Sequence, residues 1–501
     1  MNSIKDILVI GGGLGGLMTG AILSKVGFKV TVLEKNRTVG GGLQCFPRHG
    51  KIFETGMHIM GGMLPGENVY RLCSWLGITD KLKIRLTDAE CMDFLWFYEE
   101  GQKYSLPSGR KAFYDYLAGL FPDSSSDLQA YMNALWSMAA EVDIYNLRPE
   151  KDGLLREHCE DFLMPVDKFI AKYIRNRDLS VLLAYMNPLY GGIAGHTPAF
   201  VHSLINVSYI NGTSMFVDGS QQMVNALMES IINAGGKVCA GETVKEINVE
   251  DKEIRSVVTD NGNRFKADMY ISAIHPCSLL DLLPPGTFQK AYCKRLQSIP
   301  NSYSAFSVYI GLKDGTAIPF VNHTRYFMQS SDVMWKLYDY NEEEFPSGFL
   351  CITPPSSKIG KYADRITVTC PMPFSAVAKW ADSRTGHRPV EYKEWKARML
   401  SRVLDKLELM IPGVRNDAEF ILASSPLTIR DYYAVKEGSM YGYMYDCTDM
   451  ALSYIPMATK LRNLLLTGQN VFLHGMCGVS LTAIKTAECL TGRGSIVSKI
   501  P

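Results

Sequence analysis

The sequence predicts an α/β fold of at least two domains that opens with a Rossmann-like dinucleotide-binding unit. Its 501 residues are too many for a single hydrophobic core. An apolar run at residues 6–10, a glycine-rich turn, a helical pattern and a second apolar run at 29–35 follow in the order of a βαβ unit. At the other end, the glycine-rich segment 467–480 lies between an apolar strand pattern and a helical pattern at 481–490.

The first glycine-rich turn has the spacing of a dinucleotide-binding fingerprint. Gly11, Gly13 and Gly16 match GxGxxG. Gly11 permits the tight turn, Gly13 lets the backbone approach a pyrophosphate, and Gly16 lets the helix and strand pack closely. We expect Leu14 and Gly15 to contact the phosphates, because the free N–H groups and the dipole of a helix start attract anions.

An acidic residue ends the second predicted strand. Glu34 lies about twenty residues after the glycines, where a carboxylate accepts hydrogen bonds from ribose hydroxyls and repels a 2′-phosphate. FAD or NAD is therefore favoured over NADP, and Lys35 belongs to the same predicted contact. The alternative is a glycine-rich turn that binds nothing.

A second glycine turn follows at residues 35–46, KNRTVGGGLQCF. Such a turn, with Gly41, Gly42 and Leu43, is foreign to simple NAD dehydrogenases and resembles flavoproteins in which the chain passes along the FAD pyrophosphate. Many amine-oxidase-like flavoproteins have Arg where Gly42 stands, so no cationic contact is expected there. Cys45 stands alone, which argues against the disulfide reductases. The chain has no second complete GxGxxG unit for NAD(P)H.

The segment GKIFETGMHIMGGM, residues 50–63, together with VGGGLQCF, resembles the FAD-dependent phytoene desaturase and carotenoid isomerase superfamily, in its retinol saturase-like branch. The resemblance implies that Met57 and His58 lie near the flavin. His58 is the candidate catalytic residue, since a histidine there can move a proton while flavin moves a hydride. A His58 that only packs or orients the flavin is the alternative.

The glycine-rich segment near the C-terminus also fits this resemblance. LLLTGQNVF followed by HGMCGVSLTAI is similar to the superfamily's C-terminal FAD motif, in which the last strand and helix return to the first domain. The family pattern further places Val244 on the adenine. The C-terminal positions that the resemblance assigns to the ribityl phosphate and the flavin pyrimidine ring are Gly468, Gln469, Asn470, Gly478, Val479 and Ser480.

The resemblance implies a discontinuous, Rossmann-like FAD-binding domain of the glutathione-reductase type. We assign residues 1–75, 215–290 and 435–501 to this domain. Residues 76–214 and 291–434 are left for a mixed α+β substrate domain. Five tyrosines form an aromatic group near the C-terminal part of the chain, namely Tyr432, Tyr433, Tyr441, Tyr443 and Tyr445. They could line a channel for a polyene or fill the core of a sheet.

Composition excludes some partners. Lys and Arg number 52 against 51 Asp and Glu, so no nucleic-acid partner is predicted. The twelve cysteines include no CxxC or zinc spacing, so no metal site is predicted. The uncharged run at residues 7–24 contains six glycines and fits a turn better than a membrane span or signal peptide. We expect a cytoplasmic protein, with peripheral membrane contact left open.

The expected function is an FAD-dependent oxidoreductase that acts on carbon–carbon bonds of a long apolar isoprenoid or polyene. The branch resemblance favours saturation of a double bond, and desaturation uses the same site in reverse. Either direction needs a separate electron donor or acceptor. The alternatives are a carotenoid cis–trans isomerase, an amine-oxidase-like enzyme acting on a soluble amine, and a non-catalytic protein that binds FAD and a polyene.

Overall fold

The computed structural model describes residues 4–150 and 158–501. Within these ranges the strands are β1 (Asp6–Ile10), β2 (Lys29–Glu34), β3 (Cys45–Arg48), β4 (Lys51–Glu54), β5 (Ile84–Leu86), β6 (Asp93–Phe97), β7 (Gln102–Leu106), β8 (Ser214–Phe216), β9 (Lys237–Ala240), β10 (Val244–Glu250), β11 (Glu253–Thr259), β12 (Arg264–Phe265), β13 (Met269–Ser272), β14 (Ser304–Leu312), β15 (Thr324–Met328), β16 (Gly348–Ile352), β17 (Arg365–Met372), β18 (Ala418–Ser424) and β19 (Leu464–Leu466). The α-helices are α1 (Leu14–Lys25), α2 (Asn68–Leu76), α3 (Arg110–Leu120), α4 (Ser125–Glu141), α5 (Val166–Tyr173), α6 (Arg177–Leu183), α7 (Ala199–Asn211), α8 (Gln221–Asn233), α9 (Pro276–Leu282), α10 (Lys290–Ser298), α11 (Val390–Met410), α12 (Val414–Asp417), α13 (Pro426–Tyr433), α14 (Met450–Ser453) and α15 (Gly475–Thr491).

A five-stranded parallel sheet has the order β19-β13-β1-β2-β9. Side chains alternate across it, so Ile7 and Val9 pack against α1, α8 and α15, while Leu8 and Ile10 pack against the antiparallel sheet β10-β11-β12. Both faces are covered, which explains why β1 is an almost continuous apolar run. The parallel strands end at one edge, and there Gly11, Glu34 and Thr467 come together.

A seven-stranded mixed sheet has the order β18-β14-β17-β16-β15-β6-β7, with β15 and β6 as its parallel pair. One face of β14 carries Phe306 and Val308 into a core with Trp395 of α11. The other face carries Ser307, whose partner in the β14–β17 register is Thr369. This second face is turned toward the edge of the parallel sheet and contributes to the cavity described below.

The strands of the parallel sheet fall within residues 1–75, 215–290 and 435–501, and those of the mixed sheet within 76–214 and 291–434. The division of the chain into cofactor and substrate domains stays a proposal.

One sequence-based boundary was wrong. The last helix, expected from residue 481, begins at Gly475 because its first turn is packed against α2 and the segment before it. The uncharged run 7–24 forms β1, the glycine turn and most of α1. Across the described residues, every helix is too short or too polar to span a membrane.

Trp395 provides a test of the packing of α11 on the mixed sheet. It is 1% exposed, and its ring lies edge-on to Phe306 with centroids 6.2 Å apart. Trp395→Ala should lower the free energy of unfolding by about 3–5 kcal/mol, measured by chemical denaturation, because it leaves a large cavity. Val390→Ala on the same helix is the control. Val390 is 62% exposed, and its loss should change stability by less than about 0.5 kcal/mol. Equal decreases in the free energy of unfolding of the two variants would contradict this packing.

Candidate active site

A cavity of about 430 Å³ lies at the edge where the parallel strands end and extends to β14 and β17. It collects predicted cofactor residues from widely separated parts of the chain. Those that line it are Gly11, Gly13, Leu14, Gly15, Glu34, Lys35, Gly41, Gly42, Leu43, Met57, His58, Val244, Gly468, Gln469, Asn470 and Val479.

Three residues predicted to contact the cofactor do not line this cavity. A Cβ on Gly16 would lie 2.0 Å from the carbonyl oxygen of Gly11, so Gly16 permits the helix–turn packing expected of it. A Cβ on Gly478 would lie 2.4 Å from Leu473 Cβ, and Gly478 instead lines a neighbouring cavity of about 50 Å³. Ser480 is fully buried within α15.

Two helices direct their N-terminal ends at the cavity. The start of α1 and the start of α15 are formed by glycine-rich sequence, and Gly15 and Gly475 line the wall. Neither N-cap residue makes a side-chain hydrogen bond, and neither first turn contains an acidic residue. Free N–H groups and the positive ends of two helix dipoles therefore face the same space, which suits an anionic ligand.

Glu34 holds the turn and leaves its carboxylate at the cavity wall. Its Oε2 accepts the Gly12 N–H at 2.8 Å, and its Oε1 accepts the Asn36 N–H at 2.9 Å. Each carboxylate oxygen retains a lone pair for a ribose hydroxyl. Lys35 donates through Nζ to the main-chain oxygen of Asp431 at 2.9 Å, and burial lowers the pKa of its ammonium.

Gly42 faces open space. A Cβ built on it would have no atom within 4 Å, although the residue lies in the cavity wall. A Cβ on Gly13 would meet only Gly41 Cα, at 3.9 Å. These glycines form a cradle in which a ligand can approach the backbone, and side chains there would occupy the ligand's place.

The cavity therefore fits FAD. The glycine cradle and helix starts suit the pyrophosphate, and Glu34 suits the ribose. At the end formed by the mixed sheet, buried polar atoms have no hydrogen-bond partner in the described part of the chain, as expected where a polar ring system is to be bound. They are Thr369 Oγ1, Tyr433 Oη and Ser439 Oγ.

Three histidines surround the site, and two are held neutral. Burial lowers the pKa of His474 to about 4, and Tyr441 packs on its ring at 4.9 Å. Burial also lowers the pKa of His275 to about 4, and His275 Nε2 lies 3.0 Å from Asn301 Oδ1. His58, by contrast, lines the cavity with an unpartnered Nδ1.

Sequence reasoning missed the residues that the mixed sheet contributes. Ser307 and Thr369 line the cavity. The alternation of side chains along a strand shows which residues share a face, but it does not show whether that face meets solvent or a cofactor.

The five tyrosines of the predicted aromatic group do not all lie in the cavity. Tyr432, Tyr433 and Tyr441 line the cavity, with Tyr432 also 51% exposed at its rim, whereas Tyr443 packs on His275 with ring centroids 4.7 Å apart.

Gly42→Leu tests the cradle. The added side chain enters the cavity, so FAD should bind with roughly 10-fold to 100-fold higher Kd, corresponding to about 1–3 kcal/mol of overpacking. Quenching of flavin fluorescence on titration of the FAD-free chain measures the Kd. Gly119→Leu, on the exposed side of α3, is the control and should bind FAD like the wild type. Unchanged affinity in Gly42→Leu would place the flavin elsewhere.

Comparison with known proteins agrees with this geometry. All-trans-retinol 13,14-reductase of Rattus norvegicus is 26% identical over 97% of this chain and 86% of its own length. Prolycopene isomerase 1 of an Oncidium hybrid cultivar is 21% identical over 99% of this chain and 85% of its own length. The crystal structure of an oxidoreductase from Methanosarcina mazei superposes with a TM-score of 0.63, at 16% identity, over 97% of this chain and all of that one. The profile of the flavin containing amine oxidoreductases matches residues 14–316, more than half of the chain. Because this profile matches more than half of the chain, the chain belongs to the flavin containing amine oxidoreductase family. The family match and the cavity that fits FAD together identify an FAD-dependent oxidoreductase.

Proposed function

We propose that this enzyme transfers a hydride and a proton to or from a carbon–carbon bond of a long apolar polyene. The observation that carries the proposal is the charge distribution of the cavity. Its lining carboxylates, within the described residues, are Glu34 and Glu242, and the two are adjacent because the Glu242 N–H donates to the Glu34 main-chain oxygen at 2.8 Å. The end formed by the mixed sheet thus offers no carboxylate to an ammonium group.

An apolar reactant suits that end of the cavity better than a soluble amine. Its lining includes Met57, Ala305, Ile429 and Met440. A cationic amine would lose its hydration there without gaining a counter-charge, whereas a polyene gains from leaving water. The two relatives support this substrate class by their names, since retinol and prolycopene are both conjugated polyenes.

The chain's own residues bind, orient and keep the site dry. FAD, when bound, supplies two-electron hydride chemistry. The helix starts and Glu34 would fix the cofactor at one end, and the apolar lining would exclude water at the other. We propose that His58 is the residue that holds and moves the proton, because it lines the cavity and its side chain is only 10% exposed.

Saturation of a double bond is the direction we propose, following the reductase relative. Isomerisation of a polyene without net redox change is the second candidate, favoured by the isomerase relative. We propose a separate electron donor, because the chain has no second GxGxxG unit. We also propose a cytoplasmic protein with peripheral membrane contact, since polyenes partition into bilayers.

Anaerobic flavin spectra test the reaction. Chemically reduced holoenzyme mixed with all-trans-retinol or a carotenoid should regain the oxidised flavin spectrum as the polyene loses a double bond. Bleaching of oxidised holoenzyme by a polyene would indicate a desaturase instead. Bleaching by a soluble diamine but not by any polyene would contradict the proposal. A polyene isomerised with no spectral change would favour the second candidate.

His58→Asn tests the proton transfer. The variant should retain FAD, because the cofactor contacts are mainly to backbone, but kcat should fall by about 100-fold to 10,000-fold. The ratio of flavin to protein absorbance checks the retention. His49→Asn is the control, since His49 is exposed and pairs with Glu419 away from the cavity. A kcat within a few-fold of wild type would limit His58 to a packing role.

A further inference from the structure

Glu54, four residues before His58, is a buried acid that the proposed reaction has not used. It ends β4 and is 3% exposed. Its Oε1 has no hydrogen-bond partner in the described residues, and neither does His58 Nδ1. Glu54 Oε2 lies 3.9 Å from that same Nδ1. Two unpartnered buried groups of complementary chemistry therefore face each other.

The other groups around Glu54 make hydrogen bonds elsewhere, although Arg365 Nε has no partner in the described residues. Arg365, which is 2% exposed, donates through Nη1 to Asp364 at 2.8 Å and through Nη2 to the Pro355 main-chain oxygen at 3.1 Å. Cys45 stands opposite Glu54 in the β3–β4 hairpin, and burial, together with Glu54, raises the pKa of its thiol. The Ser220 hydroxyl donates to the Leu43 main-chain oxygen at 2.9 Å. His58 is the group whose unpartnered ring nitrogen lies beside the Glu54 carboxylate, at 3.9 Å.

A buried carboxylate is unstable without a partner. Burial raises the pKa of Glu54, and His58 and Arg365 act in the opposite direction. The distance of 3.9 Å is too long for a hydrogen bond, and a closer approach of the two side chains would form one of about 2.8 Å. Because Nδ1 faces Glu54 and the ring lines the cavity, Nε2 is the nitrogen available to a ligand.

We propose that Glu54 is a positioning residue that accepts the Nδ1–H of His58 and holds the ring with Nε2 toward the substrate. The inference rests on the proposed function, in which His58 is the proton donor, and it adds Glu54 as the hydrogen-bond partner of His58. In the neutral ring the proton is on Nδ1, and in the protonated ring both nitrogens carry one. An ionised Glu54 would stabilise the protonated ring.

The proton step balances in the direction of saturation. The Nε2–H bond of protonated His58 breaks, and a C–H bond forms at one alkene carbon. Reduced FAD, when bound, would supply the hydride with its two electrons to the other carbon and would be the group oxidised. His58 ends neutral with its remaining proton on Nδ1, hydrogen-bonded to Glu54.

The tautomer of His58 provides the first test, and it needs no catalysis. Nitrogen-15 NMR of histidine-labelled holoenzyme, at a pH where His58 is neutral, should show the proton on Nδ1. The resonance is assigned by its absence in His58→Asn. In free histidine the Nε2–H tautomer is preferred, so an Nε2–H ring in the wild type would overturn the proposal.

Substitutions at Glu54 separate its charge from its hydrogen bond. Glu54→Met removes both, so His58 should change to the Nε2–H tautomer. Its kcat should fall by about 10-fold to 100-fold, with KM unchanged. Glu54→Gln keeps an acceptor and should retain the Nδ1–H tautomer with a smaller loss of kcat. Glu67→Met is the matched control, since the partly buried Glu67 pairs with Asn211 outside the cavity.

The outcomes distinguish this inference from the proposed function. An Nδ1–H tautomer that persists in Glu54→Met would overturn the pairing, whatever the activity. If Glu54→Met loses FAD or fails to fold, the His58 tautomer in the wild type and in Glu54→Gln still shows whether Glu54 pairs with His58. A wild type with the Nδ1–H tautomer that exchanges electrons with no polyene would support the pairing and contradict the proposed function.

Discussion

The close contact between α1 and the turn after β19 is the constraint on which the site depends. A Cβ on Gly15 would lie 2.9 Å from Gly468 Cα, so the two backbones can meet this closely only because Gly15 lacks a side chain. One turn further along, the buried hydroxyls of Thr19 and Thr467 lie 3.0 Å apart. This contact joins the start and the end of the chain into one wall. Both uncapped helix starts then reach the same cavity, and the cradle for the cofactor exists only when that wall is closed.

The two ends of the cavity differ in charge, and in our proposal one end binds the nucleotide part of FAD and the other binds the apolar reactant. At the nucleotide end, the uncapped start of α1 presents backbone N–H groups and its helix dipole to the cavity, and Gly42 adds no side chain. Burial lowers the pKa of both His474 and His275 to about 4 and so disfavours their charged forms. In our proposal, Glu54 and His58 form the ionisable pair beside the reactant. A low dielectric around such a pair makes its geometry matter more than it would in water.

Local signals predicted the βαβ unit that carries the first candidate site residues. The strand, the glycines, the helix and Glu34 follow one another within one βαβ unit, where each residue's environment is set by its near neighbours. The C-terminal half was predicted only in outline. Glycines between 475 and 478 indicate a turn, yet tertiary packing makes them the start of α15, which overrides their poor helix propensity. Ser307 and Thr369 could not be predicted, because their placement depends on how the mixed sheet meets the parallel one.

Closure of the wall by the two ends of the chain has a consequence during synthesis on the ribosome. The cavity is lined by residues from Ile10 to Val479, so the nascent chain cannot complete this lining until Val479 has been translated. At about 5–20 residues per second, that delay is roughly half a minute or more. In this interval β1 and α1 have made their local contacts, but the face of α1 that packs on α15 is still exposed. Completion of the cofactor cavity therefore cannot precede the synthesis of α15, and the apolar face of α1 stays uncovered until α15 docks.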